Sequence, residues 1–168
     1  MNMLQDSEMV EVIDDFIAES STIYDELDDI LDDYEDEPSA AKLEHFGQVI
    51  DRVMGAAKSV DANLTGTYCD LGKTISYKAS QSMDQNLLDI TLAVLFDTVE
   101  ILKKMMDSIK KSRIEEVSDF NLEAFGSRLH WLAEKFKNIQ RSSVAIAVED
   151  ETQNDQKSID ELLADLGL

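Results

Sequence analysis

Residues 39–64 read SAAKLEHFGQVIDRVMGAAKSVDANL. Apolar side chains fall at Leu43, Phe46, Ile50, Val53, Ala57, Val60 and Leu64, in alternating steps of three and four. That period lays one stripe of an α-helix against a core. The opposite stripe holds Gln48, Arg52, Gly55, Ala56 and Ser59, with Lys58 beside it. Gly55 is the odd residue, because glycine in an exposed helix interior costs about 1 kcal/mol against alanine. Either a neighbouring helix approaches closely there, or the helix tolerates the residue.

Working outward, residues 8–36 read as a long acidic helix. Met9, Ile13, Phe16, Ser20, Ile23, Leu27, Ile30 and Tyr34 form its inner face, widened by Ile17, Tyr24 and Leu31. Fifteen acids precede Pro38, and the first basic residue of the chain is Lys42. Such a helix gains little from ion pairs within itself, so it depends on burial of the apolar face. Pro38 ends it by forcing the residue before it out of the helical region, and Ser39 is placed to start the next helix.

Downstream, Asp61-Ala-Asn-Leu-Thr-Gly66 reads as a turn. A third helix is expected from about Tyr68 to Gln81, with Tyr68, Leu71, Ile75 and Ala79 inward. A fourth spans about Gln85–Lys111. Its stripe of Leu88, Leu92, Leu95, Val99, Leu102, Met106 and Ile109, flanked by Val94, Ile101 and Met105, is expected to be the most buried. Residues 112–120 are a polar connector. A fifth helix, about Asn121–Arg141, turns Leu122, Phe125, Leu129, Leu132, Phe136 and Ile139 inward. The only hint of strand alternation, Ser143–Val148, is read as linker. The expected fold is all-α: residues 1–141 form a five-helix antiparallel bundle, 142–157 a flexible linker, and 158–168 a short amphipathic helix.

The totals narrow the function classes. The 168 residues suit one domain with an ordinary core. A net charge of −21 argues against nucleic acid and anionic membrane as partners and permits a basic protein surface. Cys69 is alone, which excludes a disulfide framework and a multi-cysteine metal site. It is expected to be a half-buried helix residue in a reducing compartment. The N-terminus has neither the basic region nor the apolar run of a signal peptide, and no stretch approaches a membrane span. The expected location is cytoplasmic.

Arg52-Val-Met-Gly55-Ala-Ala-Lys58-Ser59 resembles the central helix of histidine phosphotransfer (HPt) domains, and more closely that of the CheA-type phosphotransfer domain. That pattern is Arg, two small residues, the phospho-accepting His, two residues, Lys, Gly. Arg52 and Lys58 fall in register, Gly55 stands where the His would be, and Ser59 replaces the final Gly. The resemblance covers roughly residues 8–140 and implies an HPt-like bundle that cannot carry a phosphoryl group at the usual place, since glycine offers no nucleophile. Arg52, Gly55 and Lys58 would form its binding surface.

In the tail, Ser158 and Glu161 have capping-box spacing. Ile159, Leu162, Leu163 and Leu166 share one face, Asp160, Glu161 and Asp165 lie elsewhere, and Gly167 can end the helix. Isolated, so short a helix is mostly unfolded in water, so it is expected to order on a partner, in a groove that takes i, i+3, i+4, i+7 anchors. The alternative is docking on its own bundle. The tail is similar to the C-terminal peptide of the chemotaxis phosphatase family CheZ, which docks on the receiver CheY. The resemblance implies that Ile159, Leu162, Leu163 and Leu166 are apolar anchors and that Asp160, Glu161 and Asp165 face a basic receiver surface.

CheZ-type phosphatases use an acid and a Gln one helical turn apart. Glu44/Gln48 and Glu134/Asn138 have that spacing here, and Glu44/Gln48 shares the stripe of Arg52 and Gly55. CheZ's surrounding motif is absent. His45 and His130 lack a basic residue three positions later and read as surface or boundary residues. No phosphate loop, nucleophile triad, metal cluster or EF-hand pattern is found. The chain is expected to need no cofactor; any Mg²⁺ would be held by the receiver. Three readings follow: a binding module for a CheY-type response regulator, an aspartyl-phosphate phosphatase acting on one, and an acidic helical adaptor outside signalling. Homodimerisation is left open, as is whether the protein is an enzyme.

Overall fold

The computed structural model describes residues 2–142 and 157–168, the side chains of 139–142 excepted. Among the described residues six α-helices are formed: α1 Val10–Asp36, α2 Ala40–Ser59, α3 Asn63–Ala79, α4 Gln85–Ser112, α5 Leu122–Ser142 and α6 Ile159–Leu166. Two single-turn 3₁₀ segments, Met3–Gln5 and Ser7–Met9, precede α1. No strand occurs among the described residues. The Ser143–Val148 run and the body of the expected linker lie outside them.

Local chemistry sets the boundaries. Glu37 and Pro38 break α1 from α2, and Ser39 caps α2 by accepting a hydrogen bond from the Lys42 amide at 3.3 Å. The Asp84 carboxylate accepts from the Asn86 and Leu87 amides to start α4. Arg113, left-handed at φ 58°, ends α4 after Lys110 and Lys111 have placed positive charge on its last turn.

Helices α1–α4 close into a ring in which α1 touches α2 and α4, and α3 touches the same two. Ion pairs fix the chain directions. Arg113 reaches Asp14 at 2.8 Å while Lys103 holds Asp25 and Asp28, so α4 runs against α1. Arg52 pairs with Glu26, and Lys42 with the carbonyls of Asp33 and Glu37, so α2 also runs against α1. Lys73 to Asp51, at 2.9 Å, sets α3 against α2. The acidic α1 thus receives its cations from other helices, as its own sequence requires. Gly72 lets α3 lie close to both neighbours: a Cβ there would stand 2.8 Å from Ile50 Cδ1 and 3.5 Å from Thr98 Cγ2.

The apolar stripes of α1 and α2 enter the core as their period predicts, with Ile13, Phe16, Ser20, Leu27, Ile30 and Tyr34 facing Leu43, Phe46, Ile50, Val53 and Ala57. Leu64 does not; it is 40 % exposed. The chain turns at Asp61, in the left-handed region at φ 59°, and α3 begins at Asn63 rather than Tyr68. Ala62 provides no side-chain cap. The carboxylate of Glu115, from the connector after α4, supplies one: it accepts from the Leu64 amide at 3.2 Å, the Thr65 amide at 2.6 Å and the Thr65 hydroxyl at 2.8 Å. A cap borrowed from fifty residues away makes a helix start of what reads locally as a turn.

Cys69 is fully buried rather than half-buried. Near its start α4 is rotated from the expected stripe: Leu87, Thr91 and Val94 are buried, while Leu88 and Leu92 are only partly so. The most enclosed helix is α3, with ten buried residues of seventeen against eleven of twenty-eight in α4. It packs on α2, α4 and α6.

The fifth helix stands outside the ring. It packs on α4 and α6, with Phe125, Leu129, Leu132, Ala133 and Phe136 buried, and Phe125 meets Tyr68 of α3 at 6.4 Å between ring centroids. The tail helix α6 fills the angle between α3 and α5. Leu168 lies against Gly126 near the start of α5, and Asp160 meets Lys137 towards its end, so α6 runs against α5. Of the two readings of this segment, ordering on a partner and docking on its own bundle, the structure shows the second: its apolar face is covered by α3 and α5.

Candidate functional site

The exposed stripe of α2 is built by helical repetition. Glu44, Gln48, Arg52, Gly55 and Ser59 all face outward while Leu43, Phe46, Ile50 and Val53 hold the helix from beneath. Gly55 stands in open space: a Cβ there would meet nothing within 4 Å. Close approach of a neighbouring helix therefore does not explain this glycine. Arg52 is spread on the surface and pairs with Glu26 of α1 at 3.1 Å, an exposed contact worth at most about 1 kcal/mol. Lys58 is exposed, and its aliphatic stem lies over Gly66 at the start of α3. It has no ion pair among the described residues.

Beside this stripe a groove of about 400 Å³ opens between α1 and α2. Arg52, Val53 and Ala56 form one wall, and Glu19, Ser20, Thr22 and Ile23 the other. It places half-buried apolar surface next to the Gly55 position. The sequence signal for the α2 wall was present in Ala56, a small residue on the polar stripe. The α1 wall had no local signal.

Glu44 and Gln48 are both exposed and make no side-chain hydrogen bond among the described residues. Seven residues separate Gln48 from Gly55, about 10 Å along the helix axis. One phosphoryl group therefore cannot be served at both positions at once. Glu134 and Asn138 are exposed on α5. His45 is exposed, and His130, also exposed, donates from Nε2 to the Leu168 main-chain oxygen at 3.0 Å. No group of three or more metal-ligating side chains is assembled among the described residues.

The tail positions its residues differently from a free peptide. The Ser158 hydroxyl accepts from the Glu161 amide at 3.2 Å, and Gly167 closes the helix in the left-handed region at φ 74°. Ile159, Leu162 and Leu163 are at most 4 % exposed and Leu166 is half-buried. Asp160 pairs with Lys137, Asp165 with Lys157, and Glu161 is exposed. The anchors and the acids thus separate onto two faces as the sequence implies. The α2 stripe and α6 do not form one site: α6 sits on α3 and α5, whereas the stripe lies towards α1.

Buried polar groups elsewhere have physical causes. Burial drives the Cys69 thiol far above its ordinary range, with Asp70, Asp51 and Glu115 adding to the effect. Burial, then the charges of Cys69 and Glu115, also raises Tyr24, whose hydroxyl has no hydrogen-bond partner among the described residues. Among the described residues, no helix is long and apolar enough to cross a membrane. Comparison with known proteins finds no matching family model, no similar curated protein and no similar solved structure.

Proposed function

We propose that this chain is a signalling accessory protein that binds a CheY-type response regulator. The receiver meets the His-less surface of α2 and the C-terminal peptide. The observation that carries the reading is Gly55: an exposed helical position with open space above it, flanked by Arg52 and Lys58, in an antiparallel helical scaffold. The adjoining groove offers the half-buried Ala56 and Ile23 to an apolar side chain of the receiver. The absence of a nucleophile at residue 55 makes this a docking face and not a phosphotransfer site. In this reading the protein works in the cytoplasm, needs no cofactor and leaves Mg²⁺ to the receiver. Two weak sites on one chain raise the effective concentration of the partner.

The test is titration of CheY-type receivers from the same genome, phosphorylated and not, with decay of the phosphorylated form followed in parallel. Binding with unchanged decay is expected, and Leu162→Asp and Gly55→Trp should each weaken it several-fold. Absence of binding across the genome's receivers leaves the acidic adaptor.

A phosphatase reading is favoured by one observation, that the Glu44 and Gln48 side chains are both unengaged on the same open stripe. It requires the receiver's phosphorylated Asp to sit over Gln48, about two helical turns from Gly55. Accelerated decay that disappears in Gln48→Ala with binding retained would establish it.

A further inference from the structure

The segment between α5 and α6 is longer than the docked arrangement needs. Lys137 touches Asp160 at 2.6 Å, so the start of α6 lies beside the last turns of α5. From Lys137 to the end of α5 at Ser142 is about 7.5 Å of helix. Sixteen residues, 143–158, join the two helices, and that many can span about 53–58 Å. Chain length alone therefore lets α6 reach well beyond its own groove.

The docking itself is small. An eight-residue helix has no independent stability. It is held by three fully buried side chains, Ile159, Leu162 and Leu163, by Lys137–Asp160, and by contacts of Leu168 with Gly126 and His130. Among the described residues one cation of α5 meets the acids of α6, Lys137 on Asp160 at 2.6 Å; Arg128 is taken by Asp97 of α4, and Asp165 is paired with Lys157. The groove thus takes an amphipathic helix through its apolar face, with one cation at the helix start.

We propose that α6 is an exchangeable occupant of the α3–α5 groove, and that groove and receiver compete for its one apolar face. This rests on the receiver reading above. The same three leucine and isoleucine anchors cannot be buried in both places, so the bundle inhibits its own tail. A tail docked nine-tenths of the time lowers the apparent affinity for receiver about tenfold.

The experiment uses the full chain and has two arms. In the first, a labelled peptide of residues 157–168 is titrated against wild type and against Leu162→Asp, whose own α6 cannot occupy the groove. The peptide is expected to bind the variant about tenfold more tightly than the wild type, whose groove is mostly occupied. In the second, Lys137→Glu and Gly126→Trp loosen docking without altering α6, and each should bind receiver several-fold more tightly than wild type. Circular dichroism checks that both remain helical, and the exposed Lys137 site guards against a packing defect at Gly126. Equal receiver affinity in wild type and both variants overturns the competition and leaves receiver binding intact. Peptide entry without any receiver binding also overturns it, and places the failure in the receiver reading. Failure of the peptide to enter the vacated groove refutes the exchange itself.

Discussion

Two glycines of this chain have opposite meanings, and substitution separates them. Gly55 lies in a helix interior with nothing within 4 Å of its missing side chain. Gly55→Ala should therefore raise stability by about 1 kcal/mol, a gain of roughly 2–4 °C in Tm for a chain of this size. Gly72→Leu should do the reverse, costing on the order of 1–3 kcal/mol, because Ile50 and Thr98 already fill the space. Urea denaturation of the two variants checks both signs. The sequence marked Gly55 as unusual but could not say whether the space was open, since that depends on helices distant along the chain. Cys69 offers a third test. Fully buried and held in the thiol form, it should resist aromatic disulfide reagents at neutral pH and react at once in denaturant. Its raised pKa also has a sign. Above the ordinary thiol value of 9.0 the unfolded chain releases this proton and the folded one does not, so stability falls by up to about 1.4 kcal/mol per pH unit. Cys69→Ala should remove that component of the fall in urea midpoint between pH 9 and 10.

At the scale of the helix, the start of α3 depends on one foreign carboxylate. Glu115→Ala leaves the Leu64 and Thr65 amides and the Thr65 hydroxyl without this acceptor, and should cost about 1–2 kcal/mol. Urea unfolding measures the loss, and hydrogen exchange should locate it in the first turn of α3. The sequence conveyed α1, α2 and the inward residues Tyr68, Leu71, Ile75 and Ala79 of α3 because a 3.6-residue period needs no knowledge of partners. It placed the start of α3 too late because the cap is not local. It missed the rotation at the head of α4 because Thr91 is buried there and reads as polar. For α6 the capping signals were legible, and the amphipathic face was too. What that face would cover was not, since a groove on the same chain and a groove on a partner ask for the same pattern. The Gly55 surface was legible in outline, but its α1 wall at Glu19, Thr22 and Ile23 was not.

Across the whole molecule, 36 acids face 15 bases. The interhelical pairs of Arg52, Lys73, Lys103, Arg113 and Arg128 relieve the repulsion only locally. Salt screens these pairs and the far more numerous acid–acid repulsions alike. The melting temperature should therefore rise between 50 mM and 500 mM sodium chloride, as differential scanning calorimetry can record. The Glu115 contact also orders events in time. Its two partners are separated by fifty residues of chain, and α4 must be complete and turned before the carboxylate arrives. A contact with so large a loop to close belongs late on the folding route. The lost stability of Glu115→Ala should then appear almost wholly as faster unfolding, with the refolding arm of the chevron unmoved. During synthesis, α3 would wait with its first turn frayed until the segment beyond α4 had left the ribosome.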